Sequence, residues 1–170
     1  LDVEYAFENG LMQGTAEDKF SPYVNTSRGM IVTILWRLEG SPDVTGRCQF
    51  ADVKPGSYYE KAVIWATENG IVKGYSTTKF GPDDDINREQ LATLIYRYAE
   101  YKGYDVSART NLSAYSDLSK ISSFATEQMS WANAVGLING TTPTTLNPGG
   151  LAQRCQAAAV FHRFLTGFAK

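Results

Sequence analysis

Apolar residues recur at three- and four-residue steps in three stretches of the chain. They are Ile31, Ile34, Leu35 and Leu38; then Leu91, Leu94, Ile95 and Tyr98; then Ala157, Val160, Phe161 and Phe164. This spacing predicts an α-helix with one apolar stripe in each stretch, and such a stripe must be buried against another element. Upstream of the second and third stripes stand shorter apolar sets, Val63, Trp65 and Ala66 in one and Trp131 and Ala132 in the other. The fuller of these predicts a helix from about Tyr58 to Asn69. Gly70 is placed to end it, because glycine takes the left-handed conformation at no steric cost. Ser57, three residues before Glu60, predicts a capping box at its start, and Asn87 with Gln90 predicts another at the start of the second helix. Each unit therefore reads as helix, loop, helix, and the fold class is mainly α. Strand is expected only as short pieces around the Gly-rich loops, such as Gly70 to Pro82.

The same pattern occurs three times. Moved back by 60 positions, Ala66, Gly70, Gly74, Phe80, Pro82, Arg88 and Arg97 fall on Ala6, Gly10, Gly14, Phe20, Pro22, Arg28 and Arg37. Moved forward by 66, they fall on Ala132, Gly136, Gly140, Leu146, Pro148, Arg154 and Arg163. All seven are identical in the first copy and six of seven in the third, without a gap, so the chain divides into copies at about 1–40, 41–103 and 104–170. Val3 to Asn9 match Val63 to Asn69, which places Leu1 inside a helix and implies that the start of the first copy lies upstream. Units this short seldom bury enough surface to stand alone, so one compact domain is expected.

The 170 residues include 43% hydrophobic ones, enough for a sizeable core, and carry a net charge of −2. No Lys/Arg run is present, which argues against nucleic acid and anionic membrane surfaces as partners. No apolar run approaches the ~20 residues of a membrane span. Cys48 and Cys155 have no metal-ligand spacing and no counterparts in the other copies, so free thiols are expected. No spacing of residues calls for a cofactor.

The start of each second helix poses a problem. Arg88, Arg28 and Arg154 stand at the first helical position, where the helix end already carries about half a positive charge and a cation is unfavourable by a few tenths of a kcal/mol. Two explanations compete. Each Arg can pair with a carboxylate of a neighbouring copy, such as Asp52 or Asp117. Alternatively, the Arg and the helix N–H groups can form a receptor for one carboxylate of a ligand.

The order FADV, a Trp-Ala helix, NGIVKG, F-x-P and INREQ resembles the S-layer homology domain, a cell-surface anchoring module that usually occurs as three tandem copies. The resemblance covers nearly the whole chain and implies a pseudo-threefold, three-lobed spindle with a central helix bundle. It further implies a noncatalytic role in a secreted protein at the wall or S-layer of a Gram-positive-type bacterium, with the anchored payload outside this chain. The implied ligand is a secondary cell-wall polysaccharide, often ending in pyruvylated N-acetylmannosamine, bound in grooves between copies. The family motif Thr-Arg-Ala-Glu becomes Asn87-Arg88-Glu89-Gln90 in the second copy. In the first copy it becomes Ser27-Arg28-Gly29-Met30, and in the third Gln153-Arg154-Cys155-Gln156. The resemblance thus marks Arg88, Arg28, Arg154, Asn87 and Ser27 as binding residues, with the second copy best formed.

Trp65 and Trp131, with Tyr5 in register, suit either the apolar face of a sugar or the core. Gly74 and Gly140 suit either a saccharide against the backbone or a turn. Asp83, Asp84 and Asp85 lack the continuation of a calcium loop and are expected to favour a helix start. His162, the single histidine, has no nucleophile motif nearby, and the recurring acids Asp52 and Asp117 sit at a turn position, so an enzyme is not expected. A protein-interaction or assembly module using the same grooves is the alternative.

Overall fold

The computed structural model describes residues 1–169. Its α-helices are α1 (Asp2–Glu8), α2 (Arg28–Leu38), α3 (Glu60–Glu68), α4 (Arg88–Tyr101), α5 (Thr126–Ala134) and α6 (Arg154–Arg163). Two 3-10 turns, Leu118–Lys120 and Ser123–Ala125, precede α5, and a π turn, Phe164–Phe168, follows α6. Among the described residues β pairing is limited to isolated bridges, so the mainly α expectation holds. Gly10, Gly70 and Gly136 end α1, α3 and α5 with φ of 68°, 70° and 75°, the left-handed stop that the sequence predicts.

The three apolar stripes are buried as their spacing requires. Ile34, Leu35, Leu94, Ile95, Tyr98, Val160, Phe161 and Phe164 all lie in one core, with Leu38 partly buried at its edge. The helix partners come from different copies: α2 packs on α3, α4 on α5, and α6 returns to pack on α1. A copy therefore completes its apolar contacts only by lending a helix to its neighbour. The last of these pairings is fastened by His162, whose Nδ1 lies 2.6 Å from Asp2 Oδ1 and whose ring stacks on Tyr5 at 4.2 Å.

Three equivalent residues just before the second helices close a ring of backbone hydrogen bonds. The N–H of Thr26 donates to Ala152 O at 2.8 Å, that of Ala152 to Ile86 O at 2.9 Å, and that of Ile86 to Thr26 O at 2.8 Å. All three residues are buried, so their backbone groups need protein partners, and each finds one in a different copy.

The helix caps divide. Ser27 Oγ accepts from Met30 N at 3.2 Å, and Asn87 forms the expected full box with Gln90, at 2.9 and 3.1 Å. Gln153 keeps half of that arrangement, its N–H donating to Gln156 Oε1 at 3.0 Å. The box expected at Ser57 does not form. Ser57 Oγ instead donates to Lys54 O at 2.6 Å, Glu60 accepts from Gly56 N at 2.7 Å, and α3 begins only at Glu60. The Pro55–Gly56 turn takes up these side chains before the helix can use them, a competition inherent in Ser at turns. Cys48 and Cys155 are unbridged, as expected.

Candidate functional site

The helix starts proposed to receive an anion are already occupied by backbone. Arg28 N and Gly29 N donate to Asp84 O and Pro82 O, Arg88 N and Glu89 N to Gly150 O and Pro148 O, and Arg154 N and Cys155 N to Val24 O and Pro22 O. At α2 and α4 the next donor goes to the cap side chain of Ser27 or Asn87. The positive helix ends thus face carbonyls of a neighbouring copy, which corrects the expectation that their N–H groups await a ligand. Ser27 and Asn87 are likewise engaged in capping.

The arginines themselves make a cyclic set of ties. Arg28 donates from Nε to Phe80 O at 3.0 Å and from its terminal nitrogen to Lys73 O at 3.3 Å. Arg88 does the same to Leu146 O at 3.0 Å and Asn139 O at 2.5 Å, and Arg154 to Phe20 O at 2.9 Å and Gln13 O at 2.6 Å. Each guanidinium therefore reaches the Gly-rich loop of the next copy. The acceptors are carbonyls, which corrects the carboxylate pairing considered from the sequence. Burial lowers the pKa of all three side chains, but guanidinium stays charged. Arg28 is further enclosed by Tyr75 and Phe80, with its charge 4.5 and 4.7 Å from their ring centres, and Arg154 lies 4.6 Å from that of Phe20. Arg88 faces Leu146 at the equivalent place and is more open.

Asp52 and Asp117 hold the loops of their own copies. Asp52 accepts from Phe80 N and Gly81 N at 2.9 and 2.7 Å, and Asp117 from Leu146 N and Asn147 N at 2.9 and 2.7 Å. Burial pushes both carboxyls up, yet these N–H donors outweigh it and hold each below its ordinary value. Glu89, also buried, accepts from Ser122 N and Ser122 Oγ at 2.9 and 2.6 Å and so ties α4 to the segment before α5.

Gly74 and Gly140 are needed for space rather than for an unusual φ. A Cβ on Gly74 would stand 2.5 Å from Ser76 O and 2.6 Å from Lys79 O, and one on Gly140 would stand 2.3 Å from Thr142 O. Trp65 and Trp131 belong to the core, with Trp131 fully buried between Tyr96 and Phe168 at 5.3 and 5.2 Å. Neither ring offers a face to a saccharide, because the helix pairs exchanged between copies cover them.

Three equivalent grooves lie between copies. The first, of 410 Å³, is bordered by Gly14, Arg37, Tyr58 and Arg154. The second, of 260 Å³, is bordered by Arg28, Lys73, Gly74, Tyr75, Arg97 and Phe124, and the third, of 370 Å³, by Arg88, Gly140 and Arg163. Each combines a helix-start Arg of one copy with an Arg from the C-terminal half of the second helix and a glycine of the next, and none is bordered by an acid. Sequence reasoning assigned no role to Arg37, Arg97 and Arg163, although their identity in all three copies was a visible signal. It also missed Tyr58 and Phe124, equivalent positions 66 apart that are 55% and 51% exposed at groove rims.

The S-layer homology domain family matches residues 49–92 and 114–158. The chain belongs to the S-layer homology family. Its two matched segments carry Arg88 and Arg154, whereas Arg28 lies outside them. Among relatives of this S-layer homology chain, the surface-layer 125 kDa protein of Lysinibacillus sphaericus is 32% identical over 95% of this chain and 13% of its own length. An endoglucanase of Bacillus sp. (strain KSM-635) is 31% identical over 96% of this chain and 17% of its own. The cellulosome-anchoring protein of Acetivibrio thermocellus is 25% identical over 91% and 35%. The chain thus spans well under half the length of each of these proteins.

Proposed function

We propose that this chain is a noncatalytic anchoring module that holds a larger exported protein on the bacterial cell surface by binding a secondary cell-wall polysaccharide. The observation that carries this reading is the set of three inter-copy grooves, each with two guanidiniums and no carboxylate. Such a groove favours an acidic ligand, because a fork of N–H donors matches a carboxylate in shape and charge. The pyruvyl ketal of a wall N-acetylmannosamine supplies that group. Relatives named as a surface-layer protein, a cellulosome-anchoring protein and an endoglucanase share this segment as a minor part of their length, which supports a common attachment task. Residues 1–40 form the first of three copies, a reading supported by the equivalence of Arg28 and Thr26 to their counterparts in the hydrogen-bond cycles.

The test is sedimentation of the chain with purified wall sacculi before and after the secondary polymer is stripped. Binding that disappears on stripping supports the reading. Binding that survives stripping replaces it with a protein or peptidoglycan partner.

A further inference from the structure

We propose that the three grooves are unequal and that the Arg28–Arg97 groove is the principal receptor for an acidic sugar, with Arg97 taking its carboxylate and Phe124 the apolar face of its ring. The proposal rests on the polysaccharide reading and specifies where, and by which side chains, the ligand is held.

Three observations separate this groove from its equivalents. First, among the described residues it alone is bordered by three cations, Arg28, Lys73 and Arg97. Lys73 is replaced by Gln13 in the first groove, and the matching residue of the third is Asn139. Second, Arg97 is the groove arginine that donates to no protein acceptor among the described residues. Its counterparts Arg37 and Arg163 donate to Leu11 O and Leu137 O at 3.3 and 3.4 Å, and the helix-start arginines each hold two carbonyls. A guanidinium with its fork unspent can take both oxygens of one carboxylate, which a guanidinium already committed to carbonyls does less well. Third, two exposed aromatic rings stand at this groove, Phe124 and Tyr75. The first groove has Tyr58 at the place of Phe124 but Thr15 at that of Tyr75, and the third has Thr141 at the place of Tyr75.

The fixed geometry around Arg97 adds to this. Arg28 is immobilised by its two carbonyls and by Tyr75 and Phe80, so it presents a stationary positive wall opposite α4. Gln90, whose Oε1 accepts from Asn87 N, borders the same groove and leaves its amide N–H₂ for a sugar hydroxyl. At 260 Å³ the groove is below the ~300–1,000 Å³ of pockets for drug-sized ligands, a scale suited to one terminal sugar rather than an extended chain.

The experiment is calorimetric titration of the intact chain with pyruvylated N-acetylmannosamine and with N-acetylmannosamine lacking the ketal, alongside sacculus binding. The variants are Arg97→Ala, Arg97→Lys, Phe124→Ala, Arg37→Ala and Arg163→Ala, each checked by circular dichroism. Arg97→Ala is expected to weaken binding of the acidic sugar about tenfold or more, with partial recovery in Arg97→Lys. Phe124→Ala is expected to weaken binding of both sugars, and Arg37→Ala and Arg163→Ala to change it less than about threefold. If the parent binds but Arg97→Ala binds equally well, or if Arg163→Ala or Arg37→Ala causes the larger loss, the groove assignment is overturned while the polysaccharide reading stands. If the parent binds neither acidic sugar nor sacculi, both fall.

Discussion

The two sets of arginines, three at helix starts and three in the C-terminal halves of the same helices, line the same grooves yet do opposite work. Arg28 and Arg154 are 5% and 4% exposed, and each of the three helix-start guanidiniums is held by two carbonyls of the next copy. Among the described residues, Arg37, Arg97 and Arg163 have at most one weak hydrogen bond each. The positions that a motif comparison marks most strongly are thus the ones most committed to joining copies. A charge that assembles a groove and a charge that a ligand meets in it are separate requirements, and this fold meets them with different residues.

The largest expected effect tests that division. Arg28→Ala strands the buried Phe80 O, at about 1–3 kcal/mol, and removes the donor to the partly buried Lys73 O, at about 0.5–1.5 kcal/mol. Thermal or urea unfolding should therefore show a loss of about 2–4 kcal/mol, against about 0.5 kcal/mol or less for Arg97→Ala. Equal losses in the two variants would erase the distinction.

Next comes the loop anchor. Asp117→Asn should cost about 1.5–3 kcal/mol, as a charged acceptor of two N–H groups is lost. Because the folded carboxyls of Asp52 and Asp117 titrate below their ordinary value of 3.8, their contribution is fully present above that pH. It fades as the pH falls through the lower folded values. The parent should lose stability on acidification in that window, and the double Asp52→Asn, Asp117→Asn variant should show a flatter profile in urea titrations. An unchanged slope would show that the loops do not depend on these charges.

Gly140→Ala should follow at about 1–3 kcal/mol, since its methyl meets Thr142 O at 2.3 Å and the loop that also supplies Asn139 O to Arg88 must shift. Differential scanning calorimetry of Gly140→Ala and of the equivalent Gly74→Ala should give similar losses. The smallest effect sharpens the outer set: Arg37→Ala and Arg163→Ala each remove one long hydrogen bond to a carbonyl, worth about 0.5–1 kcal/mol. A loss as large as that of Arg28→Ala would move these residues into the assembling set.

Local chemistry by itself determined the helices, the buried stripes, the glycine stops and the cap at Asn87, because each depends on neighbours within one turn or one repeat. It misjudged Ser57, where two local arrangements competed and a turn prevailed. It left Trp65 and Trp131 open between core and ligand, since amphipathic spacing gives the buried face of a helix but not how completely a partner covers it. Only the tertiary structure decided that helices pair across copies, that the arginines seek carbonyls rather than Asp52 and Asp117, and that Arg97 finds no protein acceptor among the described residues. The reason is that these outcomes depend on which atoms of one copy face which atoms of the next, and a repeated sequence is nearly the same on both sides of every such boundary. The differences that matter, Lys73 against Gln13 and Asn139, or Phe124 against Tyr58, acquire meaning once the ring closes and sets each in its own groove.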